Sequence, residues 1–223
     1  MAELTPMRRQ YLQIKEQHPD CILFFRLGDF YEMFDQDALT ASRELDLTLT
    51  TRDRGKPEEE RTPMCGVPYH SYLSYLSRLI QKGYKVAICE QTEDPATAKG
   101  LVDREVIRIV TPGTVVDASM LKEGENNFLC AVYWDSAGAG VCFCDITTGQ
   151  TQATAFHGPD RLDHLINELG RFSPREAVLS DGAFALPALR QALEEQIGCR
   201  CENGGEAPFR TDVARSAAEG QFR

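Results

Sequence analysis

No stretch of about 18 apolar residues occurs in this sequence, so nothing in it reads as a membrane-spanning helix. The opening residues, MAELTPMRRQ, lack the apolar core of a secretory leader and run into a polar helical pattern, which reads as a cytoplasmic protein. An excess of positive charge is missing as well. The formal net charge is −10, with 15 basic against 19 acidic residues up to Met120 and 9 against 15 beyond it. That balance excludes a protein that coats nucleic acid by charge alone, so any such contact must be local. No phosphate-cradling G-x-x-x-x-G-K-S/T loop is present, and Gly55-Lys56 stands without its partners, so the chain is not expected to hydrolyse ATP. The histidines, His18, His70, His157 and His164, show neither metal nor triad spacing, and no internal repeat is visible.

Cysteine is plentiful, eight in all, but no pair forms CxxC. Cys142 and Cys144, like Cys199 and Cys201, put two thiols on one strand face, and four thiolates could in principle hold zinc. Both pairs lie in apolar or strand-like stretches, so reduced, structural thiols are the expectation. A metal-dependent nuclease would need converging carboxylates. Asp135, Asp145 and Asp181 are the available ones, but isolated aspartates near strand ends usually serve turns.

The elements that are present suggest two domains. Thr5-Pro6 starts a helix with a hydroxyl cap and a first-turn proline, and Pro19 ends it. The apolar run of residues 21–27 reads as a buried strand. A helix over 35–45 and a short strand over 47–51 follow. The neutral loop RDRGKPEEER, residues 52–61, has four basic and four acidic residues; it is either a solvated loop or a phosphate contact. Residues 62–68 are rich in proline and glycine and are expected to run extended without forming a regular element. A helix over 71–82, stopped by Gly83, precedes strands at 84–89 and 105–110.

Residues 121–127, LKEGENN, look like a linker, after which the rhythm changes. Strands at 128–134, 140–146 and 150–156 form a meander, followed by a helix at 160–169, a strand at 177–179, a helix at 186–196 and a strand at 199–202. The expected class is α/β overall: a mixed α+β first domain over 1–118, a linker over 119–127, and a second domain over 128–223. A three-strand meander feeding two helix–strand units is the order of ribonuclease-H-like folds. The Gly-, Ala- and Glu-rich tail stops without an ending signal, as a piece of a longer chain would.

The stretch GDFYEMF, residues 28–34, is the candidate functional segment. Gly28-Asp29 breaks the preceding strand, and Phe30 and Glu32 follow two residues apart. If the segment is helical, Phe30 and Phe34 lie one turn apart in a core. If it is extended, Phe30 and Glu32 point the same way, a ring beside a hydrogen-bonding carboxylate. Such a pair suits probing a base stack, where a side chain can wedge between base steps.

Several motifs in this order resemble the MutS family of DNA mismatch-repair proteins: FFRLGDFYEMF (24–34), TPMCGVPYHSYLSYLSRLIQKGYKVAICEQTEDP (62–95), REVIRIVTPGT (104–114) and GVCFCDITTGQ (140–150). The resemblance runs to about residue 180 and is looser beyond. It implies a mismatch-binding domain followed by a ribonuclease-H-like connector domain. The family's Phe-x-Glu motif falls on Phe30-Tyr31-Glu32. By that similarity Phe30 enters the minor groove and stacks on a mispaired base, while Glu32 hydrogen-bonds the same base. Arg26, Leu27, Tyr31, Met64 and Gly66 lie in motifs that should line the same site. The resemblance also implies mismatched duplex DNA as ligand, a MutL-type partner through the connector domain, and a homodimer in the full-length protein. ATP and magnesium would belong to the full-length protein's ATPase region, leaving this stretch without a cofactor or catalytic residues of its own. An alternative is a family member that uses the same domains for another DNA structure or for protein contact.

Overall fold

The structure is a computed structural model that describes residues 4–52, 55, 57, 61–93 and 100–221. Most of the 52–61 loop, Arg54 and Lys56 included, and residues 94–99 lie outside the described residues. The chain divides into two compact units, Met1–Thr111 and Pro112–Arg223. Among the described residues no helix is long and apolar enough to cross a membrane.

In the first unit, helix α1 (Pro6–Gln17) starts as its sequence directs, with the Thr5 hydroxyl accepting from the Arg8 N–H at 3.3 Å. It leads into strand β1 (Cys21–Leu27), a two-residue turn, strand β2 (Phe30–Phe34) and helix α2 (Asp35–Leu45). Strands β3 (Thr50–Thr51) and β4 (Pro63–Pro68), helix α3 (Tyr72–Gln81), and strands β5 (Lys85–Gln91) and β6 (Arg104–Val110) complete it. The six-stranded sheet has the order β3-β4-β2-β1-β5-β6, with β1 and β5 parallel and the remaining neighbours antiparallel. Residues 62–68 therefore do more than run extended: β4 is a regular strand between β3 and β2. Its two prolines sit at its ends, and the interior Met64-Cys65-Gly66-Val67 keeps the N–H groups a ladder needs. The expected 47–51 strand shrinks to two residues.

The sheet is covered on both faces. On one, Tyr11 of α1 packs edge-on against Phe25 (5.4 Å) and Phe34 (4.8 Å), over Cys21, Leu23, Ala87 and Cys89. On the other, Phe24 and Tyr31 meet α3, with the Tyr31 and Tyr72 rings 4.9 Å apart, and α2 lies on β4, where the Cys65 thiol donates to the Ala38 carbonyl. A single polar device ties these layers. Asp37 is buried and accepts from Lys15 (2.9 Å), the Tyr11 hydroxyl (3.2 Å) and the Leu23 N–H (3.0 Å). The chain turns out of β2 at Asp35, with φ of 52°, so β2 no longer pairs with Leu23 and Asp37 takes over that donor.

In the second unit, strands β7 (Phe128–Trp134), β8 (Ala139–Asp145) and β9 (Gln150–Phe156) form the expected meander. Helix α4 (Arg161–Phe172) leads to β10 (Glu176–Leu179). Short helices α5 (Asp181–Phe184) and α6 (Pro187–Gln191), the latter running into a π-helical turn (Ala192–Ile197), lead to β11 (Arg200–Asn203). The single helix expected over 186–196 is thus a short helix continued by a π turn, and the tail carries a further helix, α7 (Thr211–Gln221). The sheet order is β11-β10-β7-β8-β9, with β10 and β11 parallel to β7 and only β8 reversed. This is the mixed sheet that the meander-then-crossover order requires. Residues 112–127 group with this unit: the Gly113 N–H donates to Glu176 at 2.9 Å and the Asn127 amide to the Pro112 carbonyl at 3.0 Å.

Candidate nucleic-acid interface

The GDFYEMF segment is a turn followed by a strand, so its side chains alternate. Tyr31 and Met33 are buried on the α3 side, while Phe30, Glu32 and Phe34 point to the α1 side. Tyr11 covers Phe34, but Phe30 at the far end of the strand remains 46% exposed. Leaving that much of a phenyl ring in water forgoes on the order of 1 kcal/mol of burial.

The register fixes the ring's neighbours. Phe30 stands between Leu27 on β1 and Pro68 on β4, and Glu32 between Phe25 and Gly66. Met64 is opposite Phe34 on the same face. Of the residues expected to line the site, Leu27, Met64 and Gly66 therefore share the face of Phe30 and Glu32. Arg26 and Tyr31 do not: they pair with each other across the β1–β2 ladder and face the opposite way. The Arg26 guanidinium lies 3.5 Å over the Tyr69 ring, donates from Nε to the Gly28 carbonyl at 2.6 Å, and pairs with Glu90 at 3.5 Å. The Tyr31 hydroxyl donates to the same Glu90 carboxylate; burial first, and that hydrogen bond next, push its pKa up. These residues hold the Gly28-Asp29 turn from behind, together with a Tyr69 N–H to Asp29 carbonyl bond of 2.8 Å. Gly28 has φ of 58°, the left-handed region the turn demands.

Glu32 is held differently. Its side chain is only 14% exposed, and Arg52 Nη2 lies 3.2 Å from both carboxylate oxygens. Oε1 accepts a hydrogen bond from that nitrogen, whereas Oε2 is buried and has no hydrogen-bond partner among the described residues. Burial raises the Glu32 pKa, and the Arg52 charge opposes the rise without cancelling it. The outcome is a mostly buried carboxylate, ion-paired to Arg52 and with one oxygen that accepts no hydrogen bond, two residues from an exposed ring.

Further support comes from residues that the sequence reading did not single out. Arg104 on β6 is buried, lies 4.9 Å over the Phe25 ring and donates to the Arg26 carbonyl at 2.7 Å, pinning the end of β1 that precedes the turn. Glu90, Arg52 and Pro68 join the site from segments tens of residues away, and nothing local in the sequence announces those pairings.

The other candidate chemistries do not assemble. Asp135 follows β7 and Asp145 ends the antiparallel β8, so they lie at opposite ends of the sheet. Asp135 accepts from the Ala137 and Gly138 N–H groups, and Asp145 from the Thr147 N–H and hydroxyl and the Asn127 N–H. Asp181 accepts from the Asn203 amide. The cysteine pairs are likewise apart. Cys142 and Cys144 lie on the face of β8 opposite the buried Val141 and Phe143, whereas Cys201 shares the face of Cys130 and Phe143, two strands beyond. Among the described residues no group of three or more His, Cys, Asp or Glu is placed to hold a metal ion. Burial raises the thiol pKa of Cys65 and Cys89 to about 12 and of Cys21 to about 11, as for small core hydrophobes.

A sequence model of MutS domain I matches residues 5–119, and one of MutS domain II matches residues 127–223. The chain belongs to the MutS family. It is 55% identical over 197 residues to a DNA mismatch repair protein MutS from Acetivibrio thermocellus, covering 88% of this chain and 22% of that protein. A protein of the same description from Symbiobacterium thermophilum is 54% identical over 193 residues (86% and 22%), and one from Desulforamulus reducens 57% over 178 residues (79% and 20%). The chain thus spans about a fifth of the length of these MutS relatives.

Proposed function

We propose that this MutS-family chain recognises mispaired or unpaired bases in duplex DNA, with Phe30 as a minor-groove wedge and Glu32 as a hydrogen-bonding probe of the base the wedge displaces. The observation that carries this reading is the exposed Phe30 ring beside a carboxylate whose Oε2, though near the Arg52 charge, accepts no hydrogen bond, both on one face of a braced strand. Inserting a ring costs a few kcal/mol of unstacking per step, while stacking on an aromatic side chain returns about 1–3 kcal/mol per base. The two are close to balance only where the base has already lost part of its pairing and stacking. A matched step adds an unbroken pair to the debit, so the wedge stays out. Glu32 sharpens the difference, because a carboxylate near phosphates is repelled unless it finds a base N–H or takes up a proton to donate to a ring nitrogen.

The chain itself performs no catalysis in this reading. Charge for the phosphate backbone, ATP hydrolysis with magnesium, and homodimer contacts come from parts of a full-length MutS outside domains I and II. The second unit relays to them and meets a MutL-type partner, all in the cytoplasm.

The test is fluorescence anisotropy at low salt, comparing a duplex holding one G·T mismatch or one unpaired T with its matched counterpart. Tighter binding to the defect, abolished by Phe30→Ala, is the expected result. Equal binding to defect and matched duplex by the unmodified chain would overturn the proposal.

A further inference from the structure

Arg52 follows the short strand β3, and its guanidinium reaches Glu32 on β2, 3.2 Å from each carboxylate oxygen. The carboxylate side chain is 14% exposed and the Arg52 side chain 44% exposed, so the pair sits at the rim of the site with the cation outward. Gly66, the residue across β4 from Glu32, contributes no side chain there. The carboxylate credited with probing a base is therefore already engaged before any DNA arrives.

We propose that Arg52 is a specificity-setting rival for Glu32: it occupies the probing carboxylate in the DNA-free protein and restrains discrimination between damaged and intact pairing. The proposal rests on the reading of Glu32 as a base probe. Two consequences follow from the geometry, and they act in the same direction. At a mispaired base, Glu32 must loosen its hold on Arg52 to turn an oxygen toward the base, so part of the gain from the base contact is lost. On matched duplex, Phe30 stays out and Glu32 stays with Arg52, whose charge blunts the repulsion between carboxylate and phosphates. Arg52 thus weakens acceptance of the defect and softens rejection of the intact duplex. The same cation, being exposed, also adds general attraction to the backbone.

This separates Arg52 from an ordinary phosphate contact, which weakens binding about uniformly across sequences when removed. The experiment is a double-mutant cycle on the defect-to-matched affinity ratio, using the unpaired-T and matched duplexes with the unmodified chain, Arg52→Gln, Glu32→Gln and the double variant. Arg52→Gln is expected to bind both duplexes more weakly yet to raise the ratio about two- to fivefold, the span of a partly exposed ion pair. In the Glu32→Gln background the same substitution leaves the ratio unchanged, and Arg52→Lys, which keeps the charge, stays close to the unmodified ratio. Circular dichroism of each variant checks that the fold is intact. An equal loss on both duplexes, with no change in ratio, would overturn the proposal in favour of a phosphate contact. A fall in ratio would overturn it in favour of a structural role in placing the loop. If the unmodified chain shows no preference at all, the base-probe reading fails first and this inference falls with it.

Discussion

Glu32 and Gly66 stand opposite one another across the β2–β4 ladder, where a side chain at Gly66 would press on the β2 backbone that carries Glu32. A Cβ at position 66 would lie 3.2 Å from the Tyr31 carbonyl oxygen and 3.5 Å from Glu32 Cγ. The first contact is tight and with backbone, so the ladder itself must give by a few tenths of an ångström, whereas the second is ordinary van der Waals contact. For Gly66→Ala, reduced freedom of the unfolded chain returns about 0.4–1 kcal/mol against about 1–3 kcal/mol of crowding. The net expectation is a loss of about 1 kcal/mol in a denaturant titration, with mismatch preference reduced as the strand that carries Phe30 and Glu32 shifts. A variant with unchanged preference would mean that the site tolerates this shift of β2.

Arg26 provides a second, separable test. Its guanidinium is stacked on Tyr69, paired with Glu90 and bonded to the Gly28 carbonyl, on the side of the sheet away from Phe30. Arg26→Met should loosen the turn that mounts the ring and reduce the preference for a defect, while leaving the salt dependence of binding as it was. A direct phosphate contact would instead lower the salt slope by about 1. Anisotropy at a series of salt concentrations distinguishes the two.

These contacts also mark the limit of what the sequence discloses. The run of residues 21–27, the Thr5-Pro6 helix start and the Gly83 stop are local signals, and each element lies where its residues direct. GDFYEMF was open between helix and strand, because Phe30 and Phe34 suit one period and Phe30 and Glu32 the other. Pairing on both sides, with Leu27 and Pro68, decides for the strand. The partners of the site residues were not legible at all: Arg52 is 20 residues from Glu32, and Glu90 is 59 from Tyr31. Pairings of that separation are properties of sheet order, and β4 itself was obscured by prolines that turn out to stand at its ends.

The buried Asp37 carboxylate gives a stability prediction for the first unit. It joins α1, β1 and α2 through Lys15, Tyr11 and the Leu23 N–H. Asp37→Ala leaves the Leu23 N–H without its acceptor and the partly buried Lys15 ammonium without its counter-charge, bonded only to the Cys21 carbonyl, at a cost of about 3 kcal/mol. The corresponding fall in melting temperature is on the order of 10–20 °C for a unit of this size. Asp37→Asn keeps an acceptor and should lose about half as much. Equal stability of all three proteins in thermal denaturation would show that the network is dispensable.

Acid should undo the second unit through Asp145. Burial alone would raise this carboxyl's pKa, but hydrogen bonds from Thr147 and Asn127 outweigh it and hold the pKa below the ordinary 3.8. A carboxyl whose pKa is depressed by folding contributes stability that is complete above its unfolded value and is lost as pH falls toward the folded one. The unit should therefore weaken as pH drops from about 5 toward 2, and the turn that follows β8 should loosen with it. Trp134 is the only tryptophan in the chain and lies in β7 of this unit, with the Arg161 guanidinium 4.5 Å over its ring. Its fluorescence thus follows the second unit through a denaturant titration at each pH. Asp145→Asn should be less stable near neutrality and should show a flatter acid limb, since it has no proton to take up. An acid limb as steep as that of the unmodified chain would assign the sensitivity to other carboxylates, of which Asp135, held low chiefly by the Gly138 and Ala137 N–H groups, is the next to substitute.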